Sequence, residues 1–191
     1  MTKKHPDTFE PVSTRRLTDG WLKVDEITYR FERFSGGMSE PVTRDVVRRQ
    51  DAAVGLVRHR TRGSLIFVEQ FRLAAAGKDH GWIVEICAGK LDDGETAEEA
   101  MRRELTEETG YTALAVTPIA SFFVSPGYTD ERMHLYLVEV DGEPGEAPGD
   151  GDEDIRLVEL SRDEAFQWLD QGRFVDSKTL IALYWLRCQP R

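Results

Sequence analysis

The segment 89–110, GKLDDGETAEEAMRRELTEETG, constrains the chain most, because it specifies a helix and then loads carboxylates onto the side that must face inward. Thr96 followed by Glu99 is a capping box, and Gly110 is a natural stop just past the last turn. The spacing predicts a helix over 97–109. At about 100° per residue, Ala97, Ala100, Met101, Glu104, Glu107 and Glu108 share one broad face, and Glu98, Arg102, Thr106 and Thr109 share the opposite one. Like charges three and four residues apart repel, and turning them inward adds a desolvation cost unless something positive lies between them. A divalent cation supplies that charge. Three carboxylates without a nearby His or Cys form a hard oxygen set, which favours Mg2+ or Mn2+ over Zn2+, and Mg2+ commonly shares its shell with substrate phosphates. The helix alone leaves a second reading open, a solvated acidic surface paired with Arg102, Arg103 or a neighbouring chain.

The whole segment decides between them. Gly89, Glu95, and then Arg103, Glu104, Leu105, Thr106, Glu107, Glu108, Thr109, Gly110 and Tyr111 match the signature of the Nudix hydrolases at every fixed position. Tyr111 occupies the last slot, which is usually aliphatic. This resemblance implies a strand, loop and helix unit that binds divalent metal and hydrolyses a diphosphate linkage in a nucleoside diphosphate bonded to another group.

Composition narrows the partners. Lys and Arg total 25 against 35 Asp and Glu, a formal charge of -10, which argues against non-specific nucleic-acid binding because phosphates require clustered cations. A small anion arriving with metal remains compatible. Cys87 and Cys188 suggest neither a disulfide framework nor a thiolate metal site. No apolar run approaches membrane-spanning length, and MTKKHPDTFEPV lacks the apolar segment of a signal peptide, so a cytoplasmic location is expected. The 191 residues suit one catalytic domain, expected over 51–191, preceded by a strand or hairpin extension over 1–50.

Strand patterns fall at 22–34 and 42–49 around the turn SGGMSEP, forming the expected hairpin, and at 52–57, 65–71 and 82–86. More follow at 119–124, 133–139 and 155–160, the last after a long acidic loop, DGEPGEAPGDGDED. Ser161 with Glu164 opens a helix to about 171, and Ser177 is placed to cap a final helix to 186. The order gives an α+β domain with helices on both faces of a central mixed sheet. The Nudix resemblance implies the same fold, an α/β/α sandwich.

Within that family the chain resembles the bacterial ADP-ribose pyrophosphatases over nearly its whole length. Pro126 lies sixteen residues past Gly110, a similar distance to theirs, and the N-terminal hairpin, VEQFRLAA, DEDIRLVELSRDEAFQWLDQG and TLIALYWL concur. The resemblance implies a homodimer that exchanges the hairpin, with Trp21 stacking on the nucleobase, Arg44 reaching across from the partner, and Arg72 near the nucleotide. It assigns Glu104 and Glu108 as principal metal ligands, Glu107 as a further ligand within the catalytic set, and the carbonyl of Ala88 beside them. Glu95 and Arg103 brace the loop and helix, and Gly89 permits a tight backbone path beside the ion. Metal charge on the diphosphate then leaves one part to supply, a base for the water. Where these enzymes carry a glutamate in the loop before the last strand, this chain has Gly151, with Asp150, Asp152 and Glu153 nearby. Glu131 matches the site of the base in related GDP-mannose hydrolases, so Glu153 and Glu131 both stand as candidates. The implied reaction is ADP-ribose and water to AMP and ribose 5-phosphate. The alternatives are hydrolysis of another nucleoside diphosphate sugar such as GDP-mannose, a non-catalytic ADP-ribose sensor, and a nucleoside triphosphate housecleaning enzyme. Three intact glutamates count against the sensor, and the hairpin and Pro126 against the last.

Overall fold

The structure, a computed structural model, describes residues 6–147 and 154–190. The chain forms two compact units, Met1–Gln50 with Phe123–Glu131, and Asp51–Phe122 with Arg132–Arg191.

The first unit is an antiparallel sheet in the order β1 (Phe9–Asp19), β2 (Lys23–Phe31), β3 (Val42–Arg48). The sequence pattern foretold β2 and β3 but not β1. Every residue of β1 is exposed, so it has no buried face to impose an alternation, and its pairing with β2 slips between Pro11 and Ser13 and between Arg16 and Thr18. Asp25 of β2 is buried and ties the sheet across its width. One carboxylate oxygen accepts from Arg16 Nε at 2.5 Å and the other from Arg48 Nε at 2.9 Å. Arg48 continues to Asp130 at 2.9 Å, the amide of Arg49 donates to the same carboxylate, and Val47 bridges Thr129, so the loop that carries Pro126 and Glu131 is stitched to β3.

The second unit holds a seven-stranded mixed sheet. Its main path runs β10 (Arg156–Leu160), β5 (Leu65–Phe71), β4 (Ala52–His59), β9 (Arg132–Val140), β8 (Ala115–Phe123), with β6 (Trp82–Glu85) beside β5 and β7 (Cys87–Lys90) beside β4. β4 pairs parallel with β9 and antiparallel with β5 and β7. Strand alternation sorts β4 between two cores. Ala53 and Val57 pack with Ala100, Met101 and Leu105 of α2 (Ala97–Thr109), while Val54 and Leu56 pack with α3 (Arg162–Asp170) and α4 (Ser177–Arg187). That is the α/β/α layering expected from the sequence. A four-residue α1 (Leu73–Ala76) follows β5. No helix among the described residues is long and apolar enough to cross a membrane.

The helix ends follow from local chemistry. The Thr96 hydroxyl accepts the Glu99 amide at 3.3 Å while Glu99 accepts the Thr96 amide at 2.9 Å, and Ser161 and Glu164 repeat the device at α3. Two sequence expectations need correction. The cap of α4 is Asp176 rather than Ser177: its carboxylate accepts the Thr179 amide at 3.0 Å, and its negative charge suits the positive end of the helix dipole. Thr109, placed on the outer face by helical periodicity, is buried, because its hydroxyl donates to the Leu105 carbonyl at 2.5 Å and accepts the Tyr111 amide at 3.2 Å. Gly110 then stops α2 in the left-handed region at φ 72°, and its carbonyl accepts the amide of Gly145 at 2.8 Å. A Cβ on Gly110 would lie 2.4 Å from the Gly145 carbonyl oxygen, so only glycine lets these backbones meet.

The two guanidinium groups on Asp25 hold its carboxyl below the ordinary carboxylate range, Arg16 contributing most. A depressed acid stabilises the fold at pH values above its unfolded pKa, and the contribution disappears as pH falls through the folded value. Amide exchange in β1 and β2 should therefore be slow at neutral pH and accelerate below the ordinary aspartate range near 3.8. Asp25→Asn should bring fast exchange already at neutral pH; unchanged protection in that variant would remove the clasp from the account.

Candidate active site

The site grows from the meeting of α2 with β7. β7 pairs with β4 in a register that sets Ala88 opposite Val54, and α2 lies across β4 and β7 through Ala100, Met101 and Leu105. Gly89 is the point of closest approach: a Cβ there would fall 1.7 Å from the carboxyl carbon of Glu104. The first glycine of the segment is thus fixed by the space Glu104 occupies.

Glu108, one turn further on, is buried and lies in no ion pair among the described residues. Its Oε2 accepts the Ala88 amide at 3.1 Å, and the Cys87 thiol also hydrogen-bonds to it. Burial pushes its carboxyl up to about 7 against those two bonds, and the charges of Glu104 and Glu85 push the same way. The Cys87 thiol is itself pushed well above its ordinary value, by burial first and then by Glu108. Glu104 and Glu107 take a different counter-charge. Arg103 donates from Nη1 to Glu104 at 2.7 Å and to Glu107 at 3.0 Å, and its remaining nitrogens reach Glu95 and the Lys90 carbonyl at 3.0 Å. These carboxylates hold the guanidinium far above its ordinary range, Glu95 most. Arg103 and Glu95 thus bind the loop before α2 to the helix.

Among the described residues no group of three or more acidic, His or Cys side chains converges as a ready cage. The residues nevertheless fit a hard divalent cation, since Glu108 is a buried carboxylate without an ion-pair partner among the described residues, flanked by Glu104 and the Ala88 backbone.

The other sequence-predicted residues divide by unit. Arg72 follows β5 in the second unit, at the start of α1, and donates from Nε to Glu85 at 2.7 Å. Trp21, Arg44, Pro126 and Glu131 belong to the first. Trp21 is 80 % exposed at the β1–β2 turn, with the Arg49 guanidinium 5.1 Å from its ring centre. Arg44 is exposed on β3 and donates to the Thr43 carbonyl at 2.7 Å, Pro126 sits in a turn closed by Ser125, and Glu131 lies 3.9 Å from Arg49. Glu153, with Asp150, Gly151 and Asp152, falls outside the described residues.

Sequence reading missed two buried charges beside the site, Glu85 and Lys178. The available signal was Glu85 itself, a carboxylate inside the apolar run WIVEIC. Tyr111 also gains a reason. Its phenol fills a slot that is usually aliphatic and is buried, and Arg62 donates to its oxygen at 2.7 Å while holding Glu159 of β10 at 2.7 Å.

A model of the NUDIX domain matches residues 49–182. ADP-ribose pyrophosphatase of Escherichia coli (strain K12) is 35 % identical over 182 residues, covering 93 % of this chain and 87 % of that protein. GDP-mannose pyrophosphatase of Pectobacterium atrosepticum is 35 % identical with 90 % of each chain covered, and the methanol dehydrogenase activator of Bacillus methanolicus is 40 % identical with 88 % and 85 % covered. A crystal structure of an ADP compounds hydrolase superposes with a TM-score of 0.76 at 19 % identity, covering 96 % of this chain and 95 % of that one, a likeness of fold. A buried carboxylate helix on a mixed sheet, matched over this span, makes the chain a member of the Nudix hydrolase family, of the kind that resembles the ADP-ribose pyrophosphatases.

Three outcomes follow. In metal-free protein, ionising Glu108 costs stability, so the melting temperature should fall as pH rises from the ordinary value near 4.5 to about 7 and then level off. Glu108→Gln should flatten that slope in EDTA, lose the Mg2+-induced rise in melting temperature, and lower turnover by orders of magnitude; a variant still stabilised by Mg2+ like the parent would remove Glu108 from the ligand set. Gly89→Ala should displace Glu104 and weaken Mg2+ half-saturation in a folded protein, which titration of activity against Mg2+ will read.

Proposed function

We propose that this chain hydrolyses the diphosphate of ADP-ribose, giving AMP and ribose 5-phosphate. The observation that carries the reading is Glu108, a buried carboxylate without a counter-charge beside Glu104 and Ala88. Glu104, Glu107, Glu108 and the Ala88 carbonyl would hold Mg2+ or Mn2+, which when bound supplies Lewis-acid charge for the diphosphate oxygens and a more acidic water.

The chain's own side chains do the rest. Arg72 spends Nε on Glu85 and offers its two terminal nitrogens for bidentate phosphate contact. Trp21 offers an exposed indole face for the nucleobase, a kind of stacking that contributes roughly 1–3 kcal/mol per base. Arg44, on the exposed hairpin, reaches the nucleotide of a second subunit in a homodimer that exchanges its N-terminal strands, and Pro126 shapes the loop that follows β8. Glu131 or Glu153 takes the water proton. Glu131 lies 3.9 Å from the Arg49 guanidinium, which holds its carboxylate in place.

The E. coli relative supports ADP-ribose. The Pectobacterium relative, at the same identity and similar coverage, supports a second reading in which GDP-mannose or another nucleoside diphosphate sugar is the preferred substrate.

A panel of ADP-ribose, GDP-mannose, UDP-glucose, diadenosine polyphosphates and deoxynucleoside triphosphates with saturating Mg2+, read by chromatography, tests the reading. AMP released from ADP-ribose at the highest kcat/KM supports it, a preference for GDP-mannose selects the second reading, and tight ADP-ribose binding without turnover overturns both. With the preferred substrate, Glu131→Gln and Glu153→Gln separate the two bases, the true one losing roughly 100- to 10,000-fold in kcat. A strictly monomeric protein in solution would sink the exchanged-hairpin dimer.

A further inference from the structure

Beside the site lies a line of charges of which the reaction as proposed uses only Arg72. Lys178 is the second residue of α4 and is only 5 % exposed. A buried ammonium at a helix N-terminus is doubly unfavourable, since it loses its hydration and faces the positive end of the helix dipole. An apolar residue of similar length would fill the same space without either cost. Lys178 instead meets a pair of carboxylates: Nζ donates to Glu85 Oε2 and lies 3.0 Å from Asp176 Oδ1, the cap of α4.

Glu85 is as deeply buried, and its other oxygen, Oε1, accepts Arg72 Nε at 2.7 Å. The four residues therefore form one line, Asp176, Lys178, Glu85, Arg72, running from the cap of α4 to the end of β5. The line is rigidly mounted. The Thr179 hydroxyl donates to Asp176 at 2.7 Å and accepts the amide of Ile86 at 3.0 Å, fastening the first turn of α4 to the backbone just beyond Glu85. At the far end Arg72 is partly exposed, and neither of its terminal nitrogens has a partner among the described residues. Its backbone amide donates to Gly81 at 2.7 Å, which fixes the root of the side chain, while Glu85 fixes the plane of the guanidinium.

We infer that Lys178 and Glu85 are positioning residues for the diphosphate substrate: Lys178 holds Glu85, and Glu85 orients Arg72 so that both of its terminal nitrogens face the anion. The inference rests on the proposed diphosphate substrate and on Arg72 as its ligand, and adds the reason for a buried lysine at the start of α4. Without Lys178, Glu85 has one cation to satisfy two oxygens, and Arg72 is drawn inward to share both. The guanidinium then has fewer N–H groups for phosphate, and the loss falls on substrate capture rather than on the chemical step.

Steady-state kinetics on the preferred sugar nucleotide at saturating Mg2+ test it, with wild type, Arg72→Ala, Lys178→Met and the double variant. The paired variant Glu85→Gln/Lys178→Met removes both buried charges at nearly constant shape and covers the case in which Lys178→Met does not fold. Loss of a charge-assisted contact predicts roughly a tenfold or greater rise in KM for Lys178→Met, with kcat much less affected. In the Arg72→Ala background Lys178→Met should add nothing further to KM, which a general loss of packing would not produce. The paired variant should raise KM like Lys178→Met. Additive effects, or a shift in Mg2+ half-saturation with KM unchanged, would overturn the positioning role. If Arg72→Ala itself leaves KM unchanged, the substrate assignment of Arg72 fails first; if only the Lys178 variants do, the substrate reading stands and the positioning role falls.

Discussion

Removing a carboxylate from water raises the free energy of its charged form, and a fold that does so must provide a proton, a hydrogen-bond set or a cation. The acidic side chains of this chain show each answer in turn. Asp25 has two arginines, Glu85 a lysine and an arginine, and Glu104 and Glu107 share Arg103. Glu108 alone of these has only two neutral donors, the Ala88 amide and the Cys87 thiol. Its demand for positive charge is what the surrounding strands and helix preserve rather than relieve.

That difference organises the second unit. α2 must come close enough to β7 for Glu104 to lie over Gly89, and its apolar side must also bury Met101 and Leu105 on the sheet. Both conditions hold because the carboxylates occupy the end of the helix nearest β7, while the small residues Ala53, Gly55 and Ala100 let the helix sit low on β4. At Gly55 a Cβ would be 2.6 Å from the Met101 sulfur. The opposite core, built on Phe67, Leu169, Phe174 and Leu183, supports the sheet from behind and carries the first turn of α4, whose Lys178 reaches Glu85.

Much of this was legible in sequence because the decisive features are local. The capping boxes at Thr96 and Ser161, the stop at Gly110 and the glutamate spacing depend only on neighbours within a few turns. What escaped depends on distant partners. β1 is a strand because β2 pairs with it, not because of its own exposed residues. Thr109 escaped for a local reason instead, its hydroxyl bonding the Leu105 carbonyl and the Tyr111 amide. Lys178 reads as an ordinary helix lysine until Glu85, distant in sequence, is seen to hold it. The acidic loop before β10 is the remaining case: its chemistry is plain in sequence, yet its Gly151 register left the base divided between Glu153 and Glu131, and Glu131 lies in the other unit.

The contact between Gly110 and Gly145 insulates the end of α2 from the chain that follows β9. Beyond β9 the backbone is pinned to the end of α2 through the Gly145 amide, and Arg62 holds Glu143 on one side of the loop and Glu159 on the other. A segment held at both ends loses little by growing longer, since doubling the length of a loop costs only about 0.6 kcal/mol. Changes of length beyond the Gly145 anchor are therefore cheap, and the end of α2 stays where Gly110 fixes it.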